Sequence, residues 1–152
     1  WADKGVYGFP YAMGFNSTDT AATISTITGL TEGRSYMYAQ ENGNDADGSA
    51  LESHVTSGDF VIPQAGERLM SIKRFIPDFK NQKGTVNVNL NFKLYPTSNT
   101  ATNGPYAVTT STTKVDTRAR GRQASIKIST SAIDTTWRYG TYRAEIQPDG
   151  MR

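Results

Sequence analysis

Cysteine is absent from the 152-residue sequence. That excludes a disulfide framework, thiolate metal ligation and thiol chemistry. Histidine is nearly absent, with His54 standing alone. A site built on two imidazoles is therefore excluded, the common catalytic zinc sets included. No apolar run reaches the roughly 20 residues a membrane-crossing helix needs, so no membrane span is expected. No charged segment leading into an apolar stretch follows the first residue, and that residue is Trp1 where a start methionine would stand. The expectation is a processed product or a piece of something longer. Helical patterning is missing too. No window of about 12 residues carries apolar side chains at the i, i+3, i+4, i+7 spacing of an amphipathic helix.

What remains is a chain rich in Thr, Ser, Asn and Gly, long enough for one domain with a core of its own. Its clearest pattern has period two. Across 85–94, Val86, Val88, Leu90, Phe92 and Leu94 alternate with Thr85, Asn87, Asn89, Asn91 and Lys93. Side chains on a strand point alternately to opposite faces, so this segment reads as a strand with a buried and a wet side. Lys83-Gly84 is a turn signal before it, and Pro96 stops it. Further strands are predicted at 36–40, 54–62, 69–76, 115–119, 124–128 and 142–146. Turn signals fall between them at Asn42-Gly43, Asp47-Gly48, Ala65-Gly66, Asn103-Gly104-Pro105 and Asp149-Gly150. Many short strands at short spacing predict an all-β fold, an antiparallel β-sandwich or barrel-like domain with long polar loops. Residues 1–35 read as an irregular lead-in or arm and 36–152 as the β domain. Residues 97–113 read as a long polar surface loop with some strand character.

One pattern changes phase. From Val115 to Ala119 the odd positions are small or apolar, whereas Ala124, Ile126 and Ile128 put the apolar positions on even numbers. A strand flips phase by inserting a residue, and glycine tolerates the backbone of such a bulge. A bulge or sharp bend is predicted at Gly121–Gln123.

Reactive constellations are sparse. A nucleophilic triad would need His54 as its base, with Ser53 or Ser57 near, but a strand puts Ser53 and His54 on opposite faces. No G-x-S-x-G elbow is present. Asp45, Asp47, Glu52, Asp59, Asp78, Asp116 and Glu145 offer carboxylates for a glycosidase pair, with nothing in their spacing to favour one. The segment 42–48 fails as a calcium loop. With Gly48 as the invariant glycine, the first ligand position is Gly43 and the twelfth is His54. No catalytic residue, metal site or cofactor is assigned, and His54 is expected at a surface or on an edge strand.

Two features point to partners. Residues 1–60 hold two basic and eight acidic side chains, a net of −6, while 61–152 hold 14 and six, a net of +8. Such a split suits head-to-tail contacts, or a mixed surface with internal ion pairs. The densest basic cluster is Arg118, Arg120 and Arg122. On one strand face it could meet DNA phosphates, or it could pair with carboxylates such as Asp116, Glu145 or Asp149. The aromatics Trp1, Tyr7, Tyr11, Trp137, Tyr139 and Tyr142 fit a core or subunit interface, with a sugar-binding platform as the alternative.

The C-terminal segments carry a resemblance. Val115-Asp116-Thr117-Arg118-Ala119-Arg120-Gly121-Arg122-Gln123, Trp137-Arg138-Tyr139-Gly140-Thr141-Tyr142-Arg143 and Gln147-Pro148-Asp149-Gly150-Met151-Arg152 resemble the end of virion structural proteins of tailed bacteriophages. Asp45-Ala46-Asp47-Gly48, Ser57-Gly58-Asp59-Phe60 and Ile76-Pro77-Asp78-Phe79 are similar to the same family, so the likeness spans 36–152. The family comprises short-tail nozzle, tail tubular and DNA-stabilisation proteins. The resemblance implies an all-β, non-enzymatic tail component in the virion. It would form a ring with copies of itself, contact other tail proteins, and surround a channel crossed by DNA. A virion-surface adhesin or carbohydrate-binding β-sandwich module is the alternative.

Overall fold

The computed structural model describes residues 8–16, 34–46, 48–62 and 68–150. Among them the chain is all-β, with thirteen strands, no helix and only antiparallel pairings between strands. It divides into two compact units between Gly43 and Asn44. In the first, β1 (Tyr11–Asn16) and β2 (Arg34–Ala39) form a two-stranded ribbon with Met13 directly across from Met37. The lead-in expected over 1–35 thus contains a strand, and the boundary expected at residue 36 lies inside β2.

The second unit is a sandwich of open sheets. One has the order β10–β6–β13, built from β6 (Met70–Ile76), β10 (Val115–Gly121) and β13 (Arg143–Pro148). The other has the order β5–β11–β8–β9, built from β5 (Ser53–Thr56), β8 (Val86–Lys93), β9 (Ala101–Val108) and β11 (Gln123–Thr130). Two small ribbons complete it, β3 (Asp45–Ala46) with β4 (Ser49–Ala50), and β7 (Phe79–Lys83) with β12 (Thr136–Tyr139).

The core follows the period-two pattern. Val86, Val88, Leu90 and Phe92 of β8 are buried, and Ala124, Ile126 and Ile128 stand opposite Phe92, Leu90 and Val88 on β11. Met70, Ile72, Phe75, Val108 and Ala119 join the same cluster. Each large side chain buried here contributes roughly 1.5–3 kcal/mol, an upper figure because the unfolded chain is itself partly compact. Leu94 departs from the expectation. The strand ends at Lys93, and Leu94 is 52% exposed. Ser98 Oγ accepts the backbone N–H groups of Leu94 and Tyr95, so a turn replaces the next inward position.

Two bulges hid other elements from the sequence pattern. In β6 the buried positions shift from Met70 and Ile72 to Phe75, because Lys73 is an extra residue against β13. Thr117 Oγ1 donates to the Ile72 carbonyl at 2.6 Å, where the β6–β10 ladder is interrupted. In β9, Asn103 faces Leu90 and Tyr106 faces Val88, so Gly104-Pro105 is a bulge inside a strand. The polar stretch 97–113 therefore holds an edge strand at its centre, β9, flanked by turns, and the turn signal at Asn103-Gly104-Pro105 is a kink in that strand.

Candidate functional site

Arg118, Arg120 and Arg122 sit where one strand passes between the two sheets. β10 ends at Gly121, β11 begins at Gln123, and Arg122 lies in the bend. Thr117, Ala119 and Gly121 point inward before it; Ala124, Ile126 and Ile128 do so after it. The predicted phase flip is therefore present, but glycine serves it differently. A Cβ on Gly121 would lie 3.0 Å from Phe92 Cβ and 3.1 Å from the Lys93 carbonyl oxygen. Space selects glycine at this corner. The Arg122 N–H donates to that same Lys93 carbonyl at 2.9 Å and locks the bend to β8.

The three arginines then diverge. Arg120 Nε is 2.7 Å from Asp149 Oδ2, and its NH2 group donates to the Asp149 carbonyl at 3.2 Å. Arg122 lays its guanidinium 4.8 Å above the Tyr95 ring centroid. Arg118 is exposed on the outer face of β10, with no carboxylate partner among the described residues. Asp116 and Glu145, the other expected partners, both turn to Arg74. Its Nε is 3.5 Å from Asp116 and 3.2 Å from Glu145. These three face one another across β10, β6 and β13. Sequence reasoning missed Arg74, and only strand register could have found it.

Another junction joins the Ile76-Pro77-Asp78-Phe79 and Trp137-to-Arg143 segments. The Gly140 N–H donates to the Asp78 carbonyl at 2.8 Å, and the Thr141 N–H to Asp78 Oδ2 at 3.0 Å. A Cβ on Gly140 would fall 2.5 Å from that oxygen, so any larger residue would have to push the Asp78 carboxylate aside. Phe79 packs edge-on against Trp137 and tilted against Tyr139.

Ser53, Ser57, Asp45 and Asp59 are held in structural contacts. His54 is exposed on the edge strand β5. Ser53 Oγ accepts the Trp137 indole N–H at 3.2 Å; Ser57 Oγ accepts the Ile126 N–H at 3.0 Å. Asp45 Oδ1 accepts the Gly48 N–H within a turn, and Asp59 pairs with Lys93 at 3.0 Å. Asp47 lies outside the described residues. Lys83 and Asn44 hold the Asp134 carboxyl below the usual carboxylate range by hydrogen bonding. Trp137, Tyr139 and Tyr142 pack against the core instead of presenting a platform, while Trp1 and Tyr7 lie outside the described residues. Burial pushes the Tyr139 hydroxyl up to about 12 and the Tyr142 hydroxyl higher still. No group of three or more metal-ligating side chains, and no helix long and apolar enough to cross a membrane, occurs among the described residues. No protein-family model and no curated protein matches the chain.

Proposed function

We propose that this chain is a non-enzymatic structural component of a short bacteriophage tail. It assembles with copies of itself, beside other tail proteins, as a ring around the channel that DNA crosses. The observation that carries this reading is how the family-like segments are used. Asp78 of one meets Gly140 and Thr141 of another, and Arg120 of a third meets Asp149 of a fourth. These residues tie the connections between strands to one another and to β10, which suits a component of a rigid shell.

Two further observations support self-association. Met13 and Met37, opposite each other on the β1–β2 ribbon, are 77% and 68% exposed. Adaptable apolar side chains displayed together suit a protein interface. The charge split is only partly closed within the chain: Arg74, Lys83 and Arg120 take carboxylates from their own basic half, while Lys93 pairs with Asp59 of the acidic segment. The acidic segment of one copy then meets the basic remainder of the next, a heterologous contact that closes under rotation. Arg118, facing outward, is the arginine of the cluster best placed to meet a phosphate backbone. Electron microscopy of the purified chain tests the reading. Rotationally symmetric rings with a central opening are expected, and a field of single particles of monomer size would overturn it.

A further inference from the structure

A cleft of about 370 Å³ lies between β7 and the turn that follows β9. Pro77 and Phe79 give it an apolar side, Asn81 and Gln82 an amide side, and Thr109 and Thr112 a row of hydroxyls. Among the described residues, no charged side chain lines it. Its volume is at the small end of the range for small-molecule sites.

The local backbone is built to shape this cleft. On the β7–β12 ribbon, Thr136 faces Lys83 and Arg138 faces Lys80, so Asn81 and Gln82 together oppose Trp137 alone. That is a bulge, a device that re-aims side chains beside sites. Asn81 takes a φ of 51°, the left-handed region that asparagine enters more readily than most residues. Gln82 is fixed at its nitrogen: Nε2 donates to the Val108 carbonyl at 2.7 Å and the Gly84 carbonyl at 3.0 Å. Both amide protons are thus committed, and Oε1 remains to accept. Across the cleft, the Thr109 N–H donates to Thr112 Oγ1 at 3.0 Å, and the Thr112 N–H returns to the Thr109 carbonyl at 3.0 Å. The turn is held by its own bonds, so little ordering remains to be done on binding.

We propose that this cleft binds one neutral sugar ring of a glycan. A lining without charge gives no counter-ion to a phosphate or carboxylate. The Asn81 amide and the Thr110 hydroxyl supply donors and Gln82 Oε1 an acceptor for neighbouring sugar hydroxyls, while the Thr109 and Thr112 hydroxyls bond each other at 3.1 Å and hold the wall of the cleft. Pro77 and Phe79 offer apolar surface to the C–H face of the ring. A peptide strand fits less well, because the bulge breaks the even row of backbone groups that strand addition uses. The inference rests on the second unit alone and is independent of ring assembly.

Saturation-transfer NMR on the full chain tests it, with methyl glycosides of neutral hexoses and N-acetylhexosamines as probes and a hexuronate as the charged control. At least one neutral glycoside is expected to bind, and the hexuronate is not. Asn81→Gly keeps the left-handed backbone while removing the amide, and Thr110→Trp fills the cleft from an exposed position on its rim. Each should weaken binding at least about tenfold, roughly the value of one good hydrogen bond, with the melting temperature unchanged. If Asn81→Gly melts early, Thr110→Trp decides. Failure of every neutral glycoside to bind, equal binding of the hexuronate, or binding that survives both variants would overturn the proposal.

Discussion

Gly121 and Phe92 meet so closely that a methyl group on the glycine would sit 3.0 Å from Phe92 Cβ. This contact fixes the corner where the chain leaves one sheet for the other. Gly121→Ala must push Phe92 or the β8 backbone aside. The expected cost is about 1–3 kcal/mol, the usual penalty of overpacking. Phe92→Ala should cost about 3–5 kcal/mol, since it empties a fully buried position. Chemical denaturation of both variants checks this, and a neutral Gly121→Ala would show that the corner has room.

Arg118 and Arg120 share a strand face but differ in partners, so they should respond differently. The Arg120–Asp149 pair is about half exposed, with side-chain exposures of 53% and 45%. A pair so exposed is worth about 0.2–1 kcal/mol, well below a buried one. Arg120→Ala should lower stability by that much, and less at high salt. Arg118→Ala should leave stability unchanged but reduce the salt slope of DNA binding by about one unit, as expected for one lost phosphate contact. Equal effects of the two variants on both readouts would contradict the assignment.

Asp78 serves the Gly140–Thr141 segment through its side chain. Asp78→Ala removes the acceptor of the Thr141 N–H, an exposed hydrogen bond. The expected loss is about 0.5–1.5 kcal/mol. Hydrogen exchange should show it locally, with faster exchange at Thr141 and little change in β8.

Tyr139 and Tyr142 make the fold sensitive to alkali. Their hydroxyls are buried without hydrogen-bond partners among the described residues, and burial raises both above the ordinary tyrosine value of 10. Below pH 10 both states are protonated and stability is fully present. Between pH 10 and about 12 the unfolded chain ionises first and the folded one resists, so stability falls as pH rises. Urea midpoints measured across that window should drop. Tyr142→Phe should flatten the drop and, at neutral pH, leave stability equal or higher, since it removes a buried hydroxyl with no protein partner. A steeper alkaline loss in Tyr142→Phe would contradict this.

Much of the fold was legible because β8 alternates strictly from Val86 to Phe92 and β11 buries Ala124, Ile126 and Ile128 as its pattern predicts, with Ser125 the one buried residue out of phase. The phase flip at Gly121 was legible for the same reason. β9 was not, because it is an edge strand with one fully buried side chain, Val108, and a bulge at Gly104-Pro105 that breaks its period. β7 and β12 were missed because Lys80, Asn81 and Lys83 carry no inward pattern. Arg74 and Asp78 were invisible as organising residues. The partners of Arg74 lie on β10 and β13 and only register brings them together, while Asp78 meets Gly140 and Thr141 in a connection between β12 and β13 that lies far away in sequence.

The central claim is assembly into a closed ring held partly by charge, and native mass measured against salt tests it most directly. Exposed attractions weaken as the Debye length shrinks, so the oligomer should lose stability between about 0.05 M and about 0.5 M salt. The account predicts a single symmetric oligomer at low salt that gives way to smaller species as salt rises. A monomer at every salt and protein concentration would contradict it.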